Sequence, residues 1–203
     1  MNKIDTSQFN DAIAARTSWK PSTIAVSSFK TRKLALVKNN QLSFEPTLSM
    51  KLFGAFFILV GFYLLAFLGS KMPAHSWWVP TSLLHSVVIP LISLYFVLFG
   101  LGMLYLESSP IIFDGNKSTF SQGRGNQINT INFSDIHALQ LIPQSVSTSN
   151  ALDDLYQLNI VLSNAERVNV TRYRDASVAR QESKTVSEFV DITLWDATTI
   201  VRK

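Results

Sequence analysis

The longest apolar stretches of the chain are two uncharged segments in its first half. Residues 52–70 are 19 positions without a charge, and residues 83–106 are 24. As helices they would be about 28 and 36 Å long, enough to cross the hydrocarbon layer of a membrane. Adjacent helices that are apolar on every face are rare in soluble domains. The pattern therefore predicts a transmembrane hairpin with helices at 51–70 and 83–106, joined by a short loop at 71–82.

Outside these segments apolar residues alternate with polar ones, which is typical of strands with one buried face. In the N-terminal segment, residues 1–50, a β-hairpin is predicted near 33–46 around the turn pair Asn39-Asn40. The first 30 residues are polar. Their two alternative interpretations are a loose amphipathic helix around Phe9, Ile13 and Trp19, or a mobile tail.

Residues 107–203 continue the alternation over about five strands, separated by turn signals such as Asp114-Gly115-Asn116. After Arg174 the apolar spacing becomes helical, with Asp175 as the N-cap and Glu182 interrupting the apolar stripe. We therefore predict a membrane α+β protein. It combines the transmembrane hairpin with a small antiparallel domain ending in a C-terminal helix, an order that fits a pleckstrin-homology-like (PH-like) barrel. Whether the hairpin at 33–46 joins the same sheet stays open.

Charge sets the predicted orientation. Residues 1–51 carry eight basic and three acidic residues, net +5, whereas residues 107–203 carry nine basic and eleven acidic residues, net −2. Because basic residues accumulate on the cytoplasmic side of a membrane, both termini are predicted to be cytoplasmic. The predicted membrane-interface residues, at the ends of the first helix and in the loop, are Lys51, Lys71, Trp77 and Trp78.

The composition limits the chemistry. The chain has no cysteine and three histidines, which excludes disulfides, thiol catalysis and cysteine-ligated metal clusters. Gly123-Arg124-Gly125 lacks the lysine and hydroxyl of a phosphate-binding loop. His137 lies two residues after Asp135, a pair more typical of a surface hydrogen bond than of a general base. We predict no enzymatic activity, cofactor or metal, and no nucleic-acid partner because the C-terminal domain is net acidic.

Small residues and a proline mark the candidate contacts between the spans. The glycines recur about every seven residues along the first span, and the proline is expected to kink the second. The candidate span-packing residues are Gly54, Gly61, Gly69 and Pro90. Such a stripe packs either on the second span or on another copy of the chain.

A cluster of basic residues begins on the last predicted strand, where alternating spacing would place Arg172 and Arg174 on one face. Its members are able to meet anionic headgroups or an acidic partner, and the alternative is a solvated face balanced by Asp175 and Glu182. The candidate partner or lipid contacts are Arg167, Arg172, Arg174 and Arg180.

Two N-terminal apolar spans followed by IIFDGNKSTF, FSDIHALQLIPQ and YQLNIVLSNAERVNV resemble uncharacterised bacterial inner-membrane proteins with PH-like cytoplasmic domains. The marks of the resemblance are a strand ending in Asp-Gly, an Asp-Ile-x-Ala-Leu-Gln-Leu strand and a hairpin rich in Leu, Asn and Val. They extend over roughly residues 31–195. The resemblance implies the bacterial inner membrane and a binding or scaffolding module, and it implies no catalytic residue.

Three hypotheses follow for the function. The first is a non-enzymatic inner-membrane protein whose PH-like domain binds a protein partner, one version being an immunity-type protein against a membrane-acting toxin. The second is a homo-oligomeric channel or transporter accessory subunit, in which self-association uses the glycine stripe. The third is a scaffold that senses anionic lipids through the arginines. All three share membrane lipids as a partner.

Overall fold

The chain forms two units, one rich in β-strands and one helical. The computed structural model describes residues 5–21, 32–37, 39–68, 87–148 and 151–198. The β-rich unit comprises Met1–Glu45 together with Pro110–Lys203, and the helical unit is Pro46–Ser109. The predicted α+β class is therefore confirmed. The N-terminal segment and the C-terminal domain, whose connection the sequence left open, belong to one unit because their strands pair with each other.

The first sheet, sheet A, has five strands in the order of the chain. Its hairpin β1–β2 joins the three strands that follow the helical unit, since β2 pairs with β3 in antiparallel register, Leu42 opposite Phe113. The strands are β1 (Arg32–Val37), β2 (Gln41–Pro46), β3 (Ile111–Asp114), β4 (Thr119–Gln122) and β5 (Asn129–Asn132). The predicted N-terminal hairpin, whose sheet the sequence left open, is thus part of sheet A.

The turn between β1 and β2 contains Asn39 and Asn40, the pair that the sequence predicted as turn residues. Both residues have positive φ, 72° and 55°, which asparagine tolerates better than most residues. Asp114 ends β3 beside this turn. Burial acts to raise its pKa, but hydrogen bonds from the amides of Lys117 and Asn116 and from Gln41 hold the pKa below its ordinary value.

The second sheet, sheet B, has the order β8-β7-β6-β9. Three strands are antiparallel, whereas β9 runs parallel to β6. Helix α4 (Ala176–Val190) lies between β8 and β9 in the chain and follows Asp175, whose side chain caps it as predicted. The strands are β6 (Ile136–Thr148), β7 (Ala151–Leu162), β8 (Arg167–Tyr173) and β9 (Thr193–Asp196).

The predicted ending of the domain in a helix was wrong. A ninth strand follows the helix and adds to the edge of sheet B, with Leu194 opposite Leu139 and Trp195 opposite Gln140. Four residues with only Leu194 and Trp195 as large apolar side chains give too short a pattern to recognise as a strand. The pairing partner β6 supplies the hydrogen bonds that define it.

The core of the β-rich unit lies between the two sheets and α4. Sheet A contributes Phe113 and Phe120, sheet B contributes Leu139 and Ile160, and α4 contributes Val186, all with 0% exposure. The alternation seen in the sequence explains this arrangement, because alternate residues of a strand face the same side of the sheet.

The helical unit consists of two apolar helices. Helix α2 (Leu48–Tyr63) continues as a π-helical turn, Leu64–Leu68, and helix α3 is Ile89–Glu107. Leu48–Phe67 and Ile89–Leu106 are each long and apolar enough to span a membrane. Among the described residues, the exposed large hydrophobic side chains all belong to this unit except Ile128. The first helix begins about three residues before the predicted position 51, since Thr47 precedes a helical turn at residues 48–50.

The two helices pack through glycines. A Cβ atom built at Gly61 would lie 2.7 Å from the carbonyl oxygen of Ser93 and 2.6 Å from Val97, and one at Gly100 would lie 2.6 Å from the carbonyl oxygen of Gly54. Glycine at these positions therefore lets the two backbones approach closely. The stripe of Gly54 and Gly61 faces α3 of the same chain.

We expect Gly61→Ala to weaken the pairing of α2 with α3 by about 1–3 kcal/mol, because the added methyl group overpacks the contact. Gly102→Ala is the matched control, since a Cβ built at Gly102 meets no atom within 4 Å. The control should be neutral or more stable by about 0.5–1 kcal/mol through its higher helix propensity. Thermal unfolding in one detergent measures both variants, and equal melting temperatures would contradict the described packing.

Candidate functional site

The face of sheet B that points away from the core is polar and nevertheless buried. Gln140 on β6 and Gln157 and Asn159 on β7 each have 0% exposure. They alternate with Leu139, Leu141, Leu158 and Ile160, which point into the core. We call this surface of β6, β7 and β8 the amide face, and its side chains require hydrogen-bond partners because burial removes them from water.

A network of side-chain hydrogen bonds connects the amide face. Asn159 Nδ2 donates to Gln140 Oε1 at 3.2 Å, and Gln157 Nε2 donates to Asn159 Oδ1 at 2.6 Å. From β8, Asn169 Nδ2 donates to Asn159 Oδ1 at 3.2 Å, and Arg167 Nη1 donates to Gln140 Oε1 at 3.1 Å. The network fixes the Gln140 and Arg167 side chains, each of which has a further donor to offer.

Those donors bind the backbone of the N-terminal segment, residues 5–21. Gln140 Nε2 donates to the carbonyl oxygen of Ser18 at 3.1 Å, and Arg167 Nη2 donates to that of Lys20 at 2.8 Å. Burial lowers the pKa of the Arg167 guanidinium from its ordinary value. A backbone carbonyl oxygen accepts such bonds whatever the side chain of its residue. Through these two bonds the amide face therefore contacts the peptide backbone and not particular side chains.

Three aromatic rings hold the same segment to β9. Phe9 and Trp19 stack with centroids 5.0 Å apart and an angle of 3° between the rings, and they lie 6.0 and 5.9 Å from the ring of Trp195. Trp195 is 1% exposed. Ala14 of the segment packs into the same small cluster with Ala138 and Val161. This cluster is separate from the core between the sheets.

A short helix within the segment, α1 (Ala12–Arg16), positions an acidic side chain at the edge of the amide face. Asp11 caps α1 by accepting the amide of Ile13 at 2.7 Å, and its other carboxylate oxygen lies 2.7 Å from His137 Nε2. Burial acts to raise the pKa of Asp11, but the hydrogen bonds from His137, Ile13 and Ala14 hold that pKa below its ordinary value.

His137 therefore has a different partner from the one the sequence indicated. Asp135 lies in a 3₁₀ turn, Phe133–Asp135, before β6 begins, and its carboxylate accepts a hydrogen bond from Asn132 at 3.3 Å. The partner of His137 is 126 positions away in the chain, so spacing along a strand had no means of finding it.

A second polar cluster lies where α4 meets β1 and β8. Tyr173 is 1% exposed, and burial together with the negative charge of nearby Glu182 raises its pKa well above the ordinary value. The Glu182 carboxylate also accepts the backbone amide of Leu34 at 3.3 Å. Glu182, which interrupts the apolar stripe of the helix, thus connects α4 to the hairpin that precedes the helical unit.

The four arginines predicted as one basic cluster lie in different surroundings. Arg167 belongs to the amide face, Arg172 is half-buried on β8, and Arg174 is exposed after the end of that strand. Arg180 on α4 donates to Thr198 at 2.7 Å and lies 3.5 Å from the Asp196 carboxylate. The structure thus brings one of the four, Arg167, to the candidate site.

The remaining predicted residues belong to the helical unit. Lys51 is exposed on α2, and Pro90 is the second residue of α3, where residues 87 and 88 before it are π-helical. Gly69, Lys71, Trp77 and Trp78 lie outside the described residues. Gly54 and Gly61 are buried in the contact between α2 and α3.

In the part of the chain that the structure describes, no three His, Asp or Glu side chains are grouped to hold a metal ion. Comparison of the chain with protein-family models, curated proteins and solved structures finds no match. The candidate site is therefore defined by its own geometry, as a polar face of sheet B that binds a peptide segment.

Sequence reasoning missed the amide face and only partly recognised its occupant. The helix suggested around Phe9, Ile13 and Trp19 exists as α1 with its aromatic neighbours. Glutamine and asparagine at alternate strand positions look like solvent-facing residues. The available signal was that Asp11, a good N-cap, begins a short helix between Phe9 and Trp19, whose rings are able to cover such a face.

We expect Trp19→Ala to release the N-terminal segment. Losing about 1.5 kcal/mol of ring contacts corresponds to about tenfold more of the undocked state. Trypsin cleavage after Arg16, which is exposed, tracks that population when docking is fast. The control is Gln8→Ala, an exposed position in the same segment, and equal cleavage of the two variants would contradict the docking.

The Asp11–His137 contact predicts a dependence on pH. Because the pKa of docked Asp11 is below its ordinary value, its contribution is present above about pH 4 and is lost as the pH falls through the docked value. Asp11→Asn retains a good N-cap but removes the charge, so the variant should lack this loss.

The emission of Trp19 and Trp195 reports docking in a chain whose Trp77 and Trp78 are replaced by phenylalanine. In this background, the chain that keeps Asp11 and the chain with Asp11→Asn are compared between pH 7 and about pH 3, and the two should converge at low pH. Parallel curves over the whole range would mean that Asp11 has no part in the docking.

Proposed function

We propose that the chain is a non-enzymatic integral membrane protein of the bacterial inner membrane, with both termini in the cytoplasm. Two helices carry exposed apolar side chains around their surfaces, which water would disfavour and lipid would accept. The net charge of +5 over residues 1–51 favours this orientation. The predicted loop at 71–82 would then lie on the periplasmic side.

The β-rich unit is proposed to be a PH-like domain into which the transmembrane hairpin is inserted. Two packed sheets and a helix that closes the core between them support this proposal. The insertion lies between the paired strands β2 and β3. The added strand β9 is a departure from an ending in the helix.

The function proposed for this domain is binding of a protein partner through the amide face. One observation carries the proposal: the buried Gln140 and the half-buried Arg167 of sheet B donate hydrogen bonds to backbone carbonyl oxygens of a segment that belongs to neither sheet. A face built in this way is suited to peptide recognition. In the immunity-type version of the proposal, the partner is a membrane-acting toxin.

Site-specific photo-crosslinking in native membranes tests the proposal. A photoreactive residue replaces Glu166, which is exposed beside Arg167, or Lys184, which is exposed on α4, as the control. We expect a crosslinked product of defined mass from position 166 and not from position 184. The chain should also stay in the membrane pellet after alkaline carbonate extraction.

Carbonate extraction and crosslinking test two separate parts of the proposal. Release of the chain by carbonate would contradict membrane insertion. Crosslinks of the same mass from positions 166 and 184, or products that contain only a second copy of the chain, would contradict a partner bound at the amide face.

A further inference from the structure

We infer that the amide face is a binding site for a peptide with an aromatic residue, an acid two positions later and a second aromatic residue. The chain's own N-terminal segment, with Phe9, Asp11 and Trp19, is its intramolecular occupant. This inference rests on the proposed binding function and names the chemical class of the partner segment.

The contacts divide the ligand into parts that any peptide supplies and parts that select a sequence. The carbonyl oxygens of Ser18 and Lys20 accept from Gln140 and Arg167, and every peptide has such acceptors. Selection comes from the ring of Trp195, which receives the two aromatic side chains, and from His137, which receives the carboxylate.

The occupant is separable from the fold. The N-terminal segment contributes no strand to either sheet in the described residues, and its apolar contacts form a cluster apart from the main core. The surface that remains without it carries Gln140, Asn159 and Arg167 already held by one another. Such a polar, hydrogen-bonded surface accepts water in place of a peptide more readily than an apolar core does.

The occupant also competes with any partner. A segment tethered to the same chain is present at an effective concentration of about 1 mM, so the partner binds only the fraction of molecules whose site is open. Weakening the tethered segment should therefore raise the apparent affinity of the same peptide supplied as a separate molecule.

Fluorescence anisotropy of a labelled peptide with the sequence of residues 5–21 tests this inference, using the full chain in detergent. The cis-weakened chain carries Asp11→Ala and Trp19→Ala, whereas the peptide keeps the native sequence. We expect this chain to bind the peptide roughly tenfold or more tightly than the unaltered chain does. A peptide with the same two alanines should bind weakly to both.

Further substitutions in the cis-weakened chain locate the site. Arg167→Ala and, separately, His137→Ala should each weaken peptide binding, while Lys184→Ala on α4 should not. Two variants are used at the face so that misfolding of one, visible as a changed circular dichroism spectrum, does not decide the result.

No binding of the native peptide to the folded, cis-weakened chain would overturn the inference. Binding that is unchanged by both Arg167→Ala and His137→Ala would also overturn it, since the peptide would then sit elsewhere. Neither outcome affects membrane insertion or crosslinking from position 166, so the proposed function fails or stands on its own measurements.

Discussion

The antiparallel pairing of β2 with β3 is the constraint on which the rest of the structure depends. These neighbours in sheet A, with Leu42 opposite Phe113 and Ser43 opposite Ile112, are separated in the chain by the whole helical unit. Closing so long a loop costs entropy, and two helices packed closely through Gly54, Gly61 and Gly100 reduce the freedom of the intervening chain. Close packing of the two helices through their glycines therefore lowers the entropy cost of pairing β2 with β3.

Sheet B shows how one sheet supports two different kinds of packing. One face carries leucine and isoleucine into the core, where burial of apolar area stabilises the fold. The opposite face carries amides whose burial is tolerated because Gln140, Gln157, Asn159 and Asn169 bind one another. The apolar face packs into the core, while the polar face binds the N-terminal segment. Because the N-terminal segment lies on the polar face, it makes its contacts through two aromatic rings, the Asp11 carboxylate and backbone carbonyl oxygens.

Local patterns predicted much of the fold and little of the site. The two apolar helices, the turn at Asn39-Asn40 and the cap at Asp175 were foreseen, since each depends on residues that are neighbours in sequence. Strand β9 was missed because a short strand acquires its identity from the strand it joins. The contact of Asp11 with His137 and that of Glu182 with Leu34 join residues more than a hundred positions apart, which no local period reveals.

The sequence by itself determined which segments are apolar enough for helices, which alternate as strands, and where the chain turns. It also determined the absence of cysteine chemistry. Only the tertiary structure decided that the glycine stripe faces α3 of the same chain. It also decided that Arg167, apart from the other arginines, donates to the backbone carbonyl oxygen of Lys20, and that glutamine and asparagine side chains form a buried face. The physical reason is that propensity and periodicity act over a few residues, whereas burial and hydrogen-bond satisfaction depend on which distant segment covers a surface.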